Sequence, residues 1–206
     1  MEVSLDLSRN IWLSSDAHFG HANIIKYCKR PFAHVTEMNE AMVALWNETV
    51  SEGDLVIYLG DFSLSFKAVE QYALRLNGEK FLVPGNHDKC FPFCENHLLK
   101  WMPQYENFGF QFFGSGHLFH VEYKGSKIGL CHFPPKPSAE VLATTTIRYL
   151  EYRPLDPFYD LLFHGHIHER EKEWKSSKGT PLVNVGVDVH GFRPILLQEY
   201  LKRYIG

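Results

Sequence analysis

Short apolar runs, each broken by polar or glycine-containing segments, set the pattern of this chain. Ile11–Leu13, Leu55–Leu59 and Lys80–Val83 predict three early strands. Leu118–Tyr123, Lys127–Cys131, Phe158–Phe163, Leu182–Val187 and Ile195–Leu197 predict five later ones. Between the early strands the spacing becomes helical. Met38, Met42, Leu45, Trp46 and Thr49 share one face of a helix that Thr36 would cap and that would end near Val50. Ser65 is placed to cap a second helix reaching about Leu76, where Asn77-Gly78 would stop it. Ala22–Lys29 predicts a shorter helix. Lys124-Gly125-Ser126 reads as a hairpin turn, and the proline-rich Phe133–Pro137 as a rigid loop. The aromatic stretch Phe108–Phe113 has no decisive period and is expected to pack in the core or a loop rather than stack on bases. Glu169–Lys175 mixes both charge signs and reads as a solvated hairpin turn. Strand–helix alternation followed mostly by strands predicts α/β units feeding one sheet, with a second sheet packed on it.

The length of 206 residues suits a single domain spanning 1–206. The net charge of −3 argues against a protein built around a nucleic-acid backbone, so no strong duplex binding is expected. No apolar run approaches the ~20 residues that span a bilayer, and Met1–Asn10 does not resemble a signal peptide. Cys28, Cys90, Cys94 and Cys131 are too few for a disulfide scaffold. Cys90 and Cys94 could pair on a metal, but free thiols in a reduced compartment are the simpler reading. The expectation is a cytoplasmic protein without a membrane partner.

The residues that change this picture follow the predicted strands. Asp16 and His18 follow the first, Gly60-Asp61 the second, and Gly85-Asn86-His87-Asp88 the third; His132 follows Lys127–Cys131, and His164, His166 and His168 follow Phe158–Phe163. Sheets with this connectivity place ligands beyond the carboxyl ends of their strands. Extended residues two apart point the same way, so Asp16 would converge with His18, and His166 with His168. Carboxylate, imidazole and amide oxygen suit borderline divalent ions such as Mn²⁺, Fe²⁺, Zn²⁺ or Ni²⁺, and a cluster without thiolates argues against a structural zinc. Two such ions bring four positive charges, of which Asp16 and Asp61 cancel two. The remainder would attract a phosphate and hold a hydroxide.

In order and spacing, Asp16-Ala17-His18, Gly60-Asp61, Gly85-Asn86-His87-Asp88, His132 and Gly165-His166-Ile167-His168 resemble the calcineurin-like metallophosphoesterases. Asn184–Asp188 resembles the strand closing the second sheet in small members. The resemblance implies a four-layer α/β/β/α sandwich of two mixed sheets flanked by helices. It also implies hydrolysis of a phosphate ester by in-line attack of a hydroxide bridging two divalent ions. Asp16, His18 and His168 would hold the first ion, Asn86, His132 and His166 the second, and Asp61 would bridge them. His87 would touch substrate or protonate the leaving group, and Asp88 would orient or charge His87.

Other candidates are weaker as single residues. His164 reads as a packing or supporting residue, and His190 as a loop residue. His21 and Asn23 could face substrate, although capping the Ala22–Lys29 helix accounts for them as well. Arg148, Arg170 and Arg193 could grip a phosphate. The expected substrate is a small phosphate ester, such as a nucleotide-type phosphodiester, with Mn²⁺ as the foremost metal. A phosphomonoesterase, a non-catalytic protein-binding scaffold and a structural zinc module are the competing readings.

Overall fold

A computed structural model of the chain describes every residue except Cys94, Glu169 and Arg170, and excepting the Glu95 side chain. The strands are β1 (Ile11–Ser14), β2 (Leu55–Tyr58), β3 (Glu79–Leu82), β4 (Phe110–Gln111), β5 (Leu118–Tyr123), β6 (Ser126–Cys131), β7 (Leu161–His164), β8 (Glu173–Lys175), β9 (Pro181–Asn184) and β10 (Ile195–Leu196). The helices are α1 (Ala22–Tyr27), α2 (Val35–Thr49), α3 (Phe66–Tyr72), α4 (Glu95–Glu106), α5 (Ala139–Thr144) and α6 (Leu197–Tyr204).

The strands form two five-stranded sheets, ordered β10-β1-β2-β3-β4 and β5-β6-β7-β9-β8. Both are mixed. In the first sheet β1 to β4 run parallel and β10 pairs antiparallel with β1. In the second, β6, β7 and β9 run parallel while β5 and β8 are antiparallel edges.

Side-chain alternation explains the layering. On β2, Leu55 and Ile57 point into the core between the sheets, while Val56 and Tyr58 point to the helices. A strand buried on both faces reads as an uninterrupted apolar run, as β2 does. Ile11, Leu13, Ile128, Leu130, Leu161 and Phe163 share the inter-sheet core, and α6 adds Leu197 and Leu201. Against the outer face of the first sheet, α1 contributes Ile24, α2 Met38, Met42 and Trp46, and α3 Val69 and Tyr72. The outer face of the second sheet is covered by Phe91, Phe133 and Tyr159, with Tyr149 and Tyr152 packed against them. No described helix is long and apolar enough to cross a membrane.

Several local expectations are corrected. The N-cap of α2 is His34, not Thr36. Its Nδ1 accepts the Glu37 amide at 3.2 Å while the Glu37 carboxylate accepts the Ala33 amide, so the cap is reciprocal. The segment behind Ser65 is α for Phe66–Tyr72 and 3-10 for Ala73–Arg75. The Phe108–Phe113 stretch packs in the core as expected, and its undecided period resolves as β4: Phe110 is buried with the helices, and Phe113 stacks on Phe81 at 4.5 Å. Residues 173–175 are strand β8 rather than a solvated turn. The Asn184–Asp188 segment does not close the second sheet, because β9 ends at Asn184 and β8 lies outside it. The turn after β5 behaves as expected: Lys124 and Gly125 both have positive φ (49° and 77°), which suits a two-residue hairpin.

Candidate metal centre

The carboxyl ends of β1, β2, β3, β6 and β7 each release a loop toward one place. Asp16 and His18 follow β1, Asp61 follows β2, Asn86 follows β3, His132 follows β6, and His166 and His168 follow β7. Two groups of ligand atoms form there. In each, the atoms lie within 4.8 Å of one another: Asp16, His18 and His168 in one, Asp61, His132 and His166 in the other. The groups touch through Asp61, whose Oδ2 lies 3.5 Å from His18 Nε2 and 3.4 Å from His132 Nε2.

The convergence does not arise as strand alternation would have it. Asp16, His18, Asp61, His166 and His168 all lie in the left-handed backbone region, with φ of 59°, 51°, 58°, 76° and 49°. Such conformations cost non-glycine residues about 1–3 kcal/mol each and persist where surrounding contacts impose them. Here the contacts are identifiable. The Asp16 amide donates to Gly60 O at 3.0 Å and the His18 amide to Asp61 O at 3.1 Å. The Asp16 carboxylate accepts the Ser15 hydroxyl at 2.6 Å and the His166 amide at 2.9 Å. Close packing adds a steric requirement at Gly165, where a Cβ would lie 2.3 Å from Asp16 Oδ2 and from Ser15 Oγ.

The imidazoles are held with a nitrogen facing the centre. His132 Nδ1 donates to Leu59 O at 2.8 Å, and His168 Nδ1 donates to Asp188 Oδ2 at 2.9 Å. That leaves each Nε2 lone pair for a cation. The buried Asn86 Oδ1 and His132 Nε2 have no hydrogen-bond partner. An orphaned buried acceptor costs about 1–3 kcal/mol unless something takes its lone pair. Bound cations would do so, and the donor set fits them.

Without cations the electrostatics divide the ligands into neutral rings and rings that hold a proton, which an arriving cation would displace. Burial would raise the Asp61 carboxyl, but His132, His18 and His87 outweigh it and hold it well below the usual carboxylate range. Burial lowers His18, and it lowers His166 to about 3, which keeps both rings neutral as ligands. Burial opposes charging His132 and His168, yet Asp61 lifts His132 to about 9 and Asp16 with Asp188 lifts His168 to about 11.

The remaining sequence candidates separate. His87 is exposed at the rim; its Nε2 is 4.0 Å from Asp61 Oδ2 and its ring 5.2 Å from His18. His21 lies beside the centre, its ring 5.7 Å from His18 and its Nδ1 buried without a partner; its side chain makes no cap bond to α1. Asn23 is exposed on α1. Arg148 is exposed before Tyr149, and Arg170 lies outside the described residues. Arg193 binds Leu45 O, Thr49 and Glu48 at the end of α2, so it is a structural clamp. His164 is buried, its Nδ1 bonded to Gly165 O and its ring against Trp174. His190 Nε2 donates to Asn184 O at 2.6 Å. Cys90 is buried, and Cys94 lies outside the described residues.

Asp88 takes a role other than orienting His87. One carboxylate oxygen accepts the amides of Asp61 at 2.8 Å and Gly85 at 2.9 Å, and the other accepts Phe62 at 2.9 Å and Ser63 at 3.4 Å. It therefore splices the β2 and β3 loops together and fixes Asp61 from behind.

Two supporting residues escaped the sequence reading. Arg30 is fully buried and binds both Asp188 oxygens and the Asp16 and Ala17 carbonyls. Cys28, His168 and Asp188 also come within 4.8 Å, but both Asp188 oxygens are already engaged by Arg30 and His168. Neither residue sits in a ligand motif; the local signal is that Asp188 lies in a 3-10 turn, Val187–Val189, soon after β9.

The family model for the calcineurin-like phosphoesterase superfamily domain matches residues 10–192. An uncharacterised protein of Methanocaldococcus jannaschii is 34% identical over 200 residues, which cover 94% of this chain and 90% of that one. The gene 66 protein of Mycobacterium phage D29 is 29% identical over 174 residues, covering 78% and 79%. A solved protein of unknown function from Aquifex aeolicus shares the fold with a TM-score of 0.65 at 24% identity, over 95% of this chain and 99% of that one. The match across the ligand loops, together with their convergence, places the chain in the calcineurin-like phosphoesterase superfamily, as a hydrolase of phosphate esters that depends on divalent metal ions.

Proposed function

We propose that the chain hydrolyses phosphodiesters of nucleotide size and uses two divalent ions, Mn²⁺ foremost. The observation that carries the two-ion reading is Asp61 Oδ2, within 3.5 Å of an imidazole nitrogen from each ligand group. When bound, such ions supply an activated water and neutralise charge on the phosphoryl oxygens.

The chain's own residues do the rest. Asp16, His18 and His168 would hold one ion, Asn86, His132 and His166 the other, with Asp61 between. Asp88 keeps Asp61 in place through the amides it binds. His87 Nε2, free at the rim, is positioned to hand a proton to the leaving oxygen. Rings stand on both flanks of the centre: His87 and His21 near His18, and Tyr149 at 6.1 Å from His166. A substrate carrying organic groups on both sides of phosphorus suits that arrangement.

One observation favours phosphomonoesters as the second reading. Arg153 acts electrostatically on His166, and its buried Nε has no hydrogen-bond partner. A guanidinium that reached the centre would suit the extra oxygen of a monoester. The test compares kcat/KM for a chromogenic diester and its monoester with Mn²⁺. Faster diester turnover is expected, and monoester turnover far above it would overturn the preference.

A further inference from the structure

The two ligand groups are supported unequally. Behind His168 stands a carboxylate, Asp188, at 2.9 Å. Behind Asp188 stands Arg30, whose Nε reaches Oδ1 at 2.7 Å and whose Nη2 reaches Oδ2 at 2.9 Å. The same guanidinium donates to the carbonyls of Asp16 and Ala17, both at 2.7 Å. One buried side chain thus fixes the backbone carrying Asp16 and His18 and, through Asp188, the ring of His168, while the His18 ring itself has a buried Nδ1 without a partner. All three residues belong to one ligand group.

The other group has no such support. His132 leans on a neutral carbonyl, Leu59 O. The His166 ring makes no hydrogen bond among the described residues, and Asn86 Oδ1 has no partner. The group has no carboxylate beyond the shared Asp61. A carboxylate behind an imidazole fixes the ring and strengthens it as a donor, and losing such a partner typically weakens metal binding roughly 10–100-fold.

We infer that Arg30 and Asp188 form a positioning relay that makes the Asp16–His18–His168 site the tighter of the two cation sites, so that it fills first and the Asn86–His132–His166 site fills second. Arg30 is not a phosphate ligand. Its side chain is inaccessible and its donors are committed. Its fork geometry matters because it grips a carboxylate and two carbonyls together, which an ammonium cannot reproduce.

The inference rests on the two-ion reading, and the experiment separates the two. Protein stripped by chelation is titrated with Mn²⁺ by calorimetry. Wild type should show two steps. Asp188→Asn should weaken the tighter step roughly 10–100-fold and move the looser one far less. Asn86→Ala should abolish the looser step and leave the tighter one. Arg30→Lys, which keeps the charge and loses the fork, should fall between wild type and Asp188→Asn; it also serves if Asp188→Asn melts below the assay temperature. Equal weakening of both steps, or loss of the tighter step in Asn86→Ala, would overturn the relay while sparing the two-ion reading. A single step in wild type would overturn both.

Discussion

Asp61 and Asp88 are joined back to back. The Asp61 amide donates to Asp88 at 2.8 Å while the Asp61 carboxylate faces the imidazoles of His18 and His132. The residue proposed to serve both ions is therefore held by a second carboxylate, which stitches the β2 and β3 loops with further amides. Ligand and anchor do different work, and mutation should separate them.

Asp61→Asn keeps the shape and removes the charge. We expect at least a hundredfold loss of kcat/KM and fewer than two metals per chain, because electrostatic groups at a reacting centre are worth about 10²–10³-fold. Elemental analysis with steady-state kinetics checks it. Near-normal turnover with full metal would refute the bridge.

Asp88→Ala should act on stability. Several buried amides would lose their acceptor, at about 1–3 kcal/mol for each one left unsatisfied, so a loss of about 3 kcal/mol or more is expected. Urea unfolding of the chelated protein measures it. An unchanged midpoint with lowered kcat would restore the role of orienting His87.

His87→Ala should lower kcat by about 10²–10⁴-fold, the range for a positioned proton donor, with metal content unchanged. The loss should be smaller for a diester whose leaving group needs no proton. Equal losses on good and poor leaving groups would argue against proton transfer from His87 Nε2.

Gly165→Ala introduces a methyl where Asp16 Oδ2 and Ser15 Oγ stand 2.3 Å away. Overpacking of this kind costs about 1–3 kcal/mol, and the displaced carboxylate should weaken metal binding. A thermal melt with a Mn²⁺ titration tests both; wild-type values in each would show that the loop has room.

The metal-stripped protein should have a stability optimum near pH 6.5. His132 and His168 are raised to about 9 and about 11, so their stabilising charge is fully present below the unfolded value and is lost as pH rises through those values. His166 is depressed to about 3, so its contribution is present above the unfolded value and is lost as pH falls from there through about 3. Melting temperature against pH, with and without Mn²⁺, should show a peak that flattens when metal is added. A stripped protein whose stability keeps rising to pH 10 would contradict this.

The sequence by itself determined the ligand types, their placement after strands, and the strand–helix order, because these are written in local periodicity and in motifs a few residues long. Leu55–Leu59 could be read as a buried strand without any knowledge of its neighbours. Tertiary structure decided the rest. The left-handed backbone at Asp16, His18, Asp61, His166 and His168 is held by contacts between loops; Asp and His tolerate it better than most residues, but local propensity alone would not select it. Asp88 binds the amides of a loop 25 to 27 residues away, a neighbour it meets only because β2 and β3 lie side by side in the sheet. Arg30 reached Asp188 across 158 positions, a pairing that exists only once the two sheets have packed and enclosed both charges.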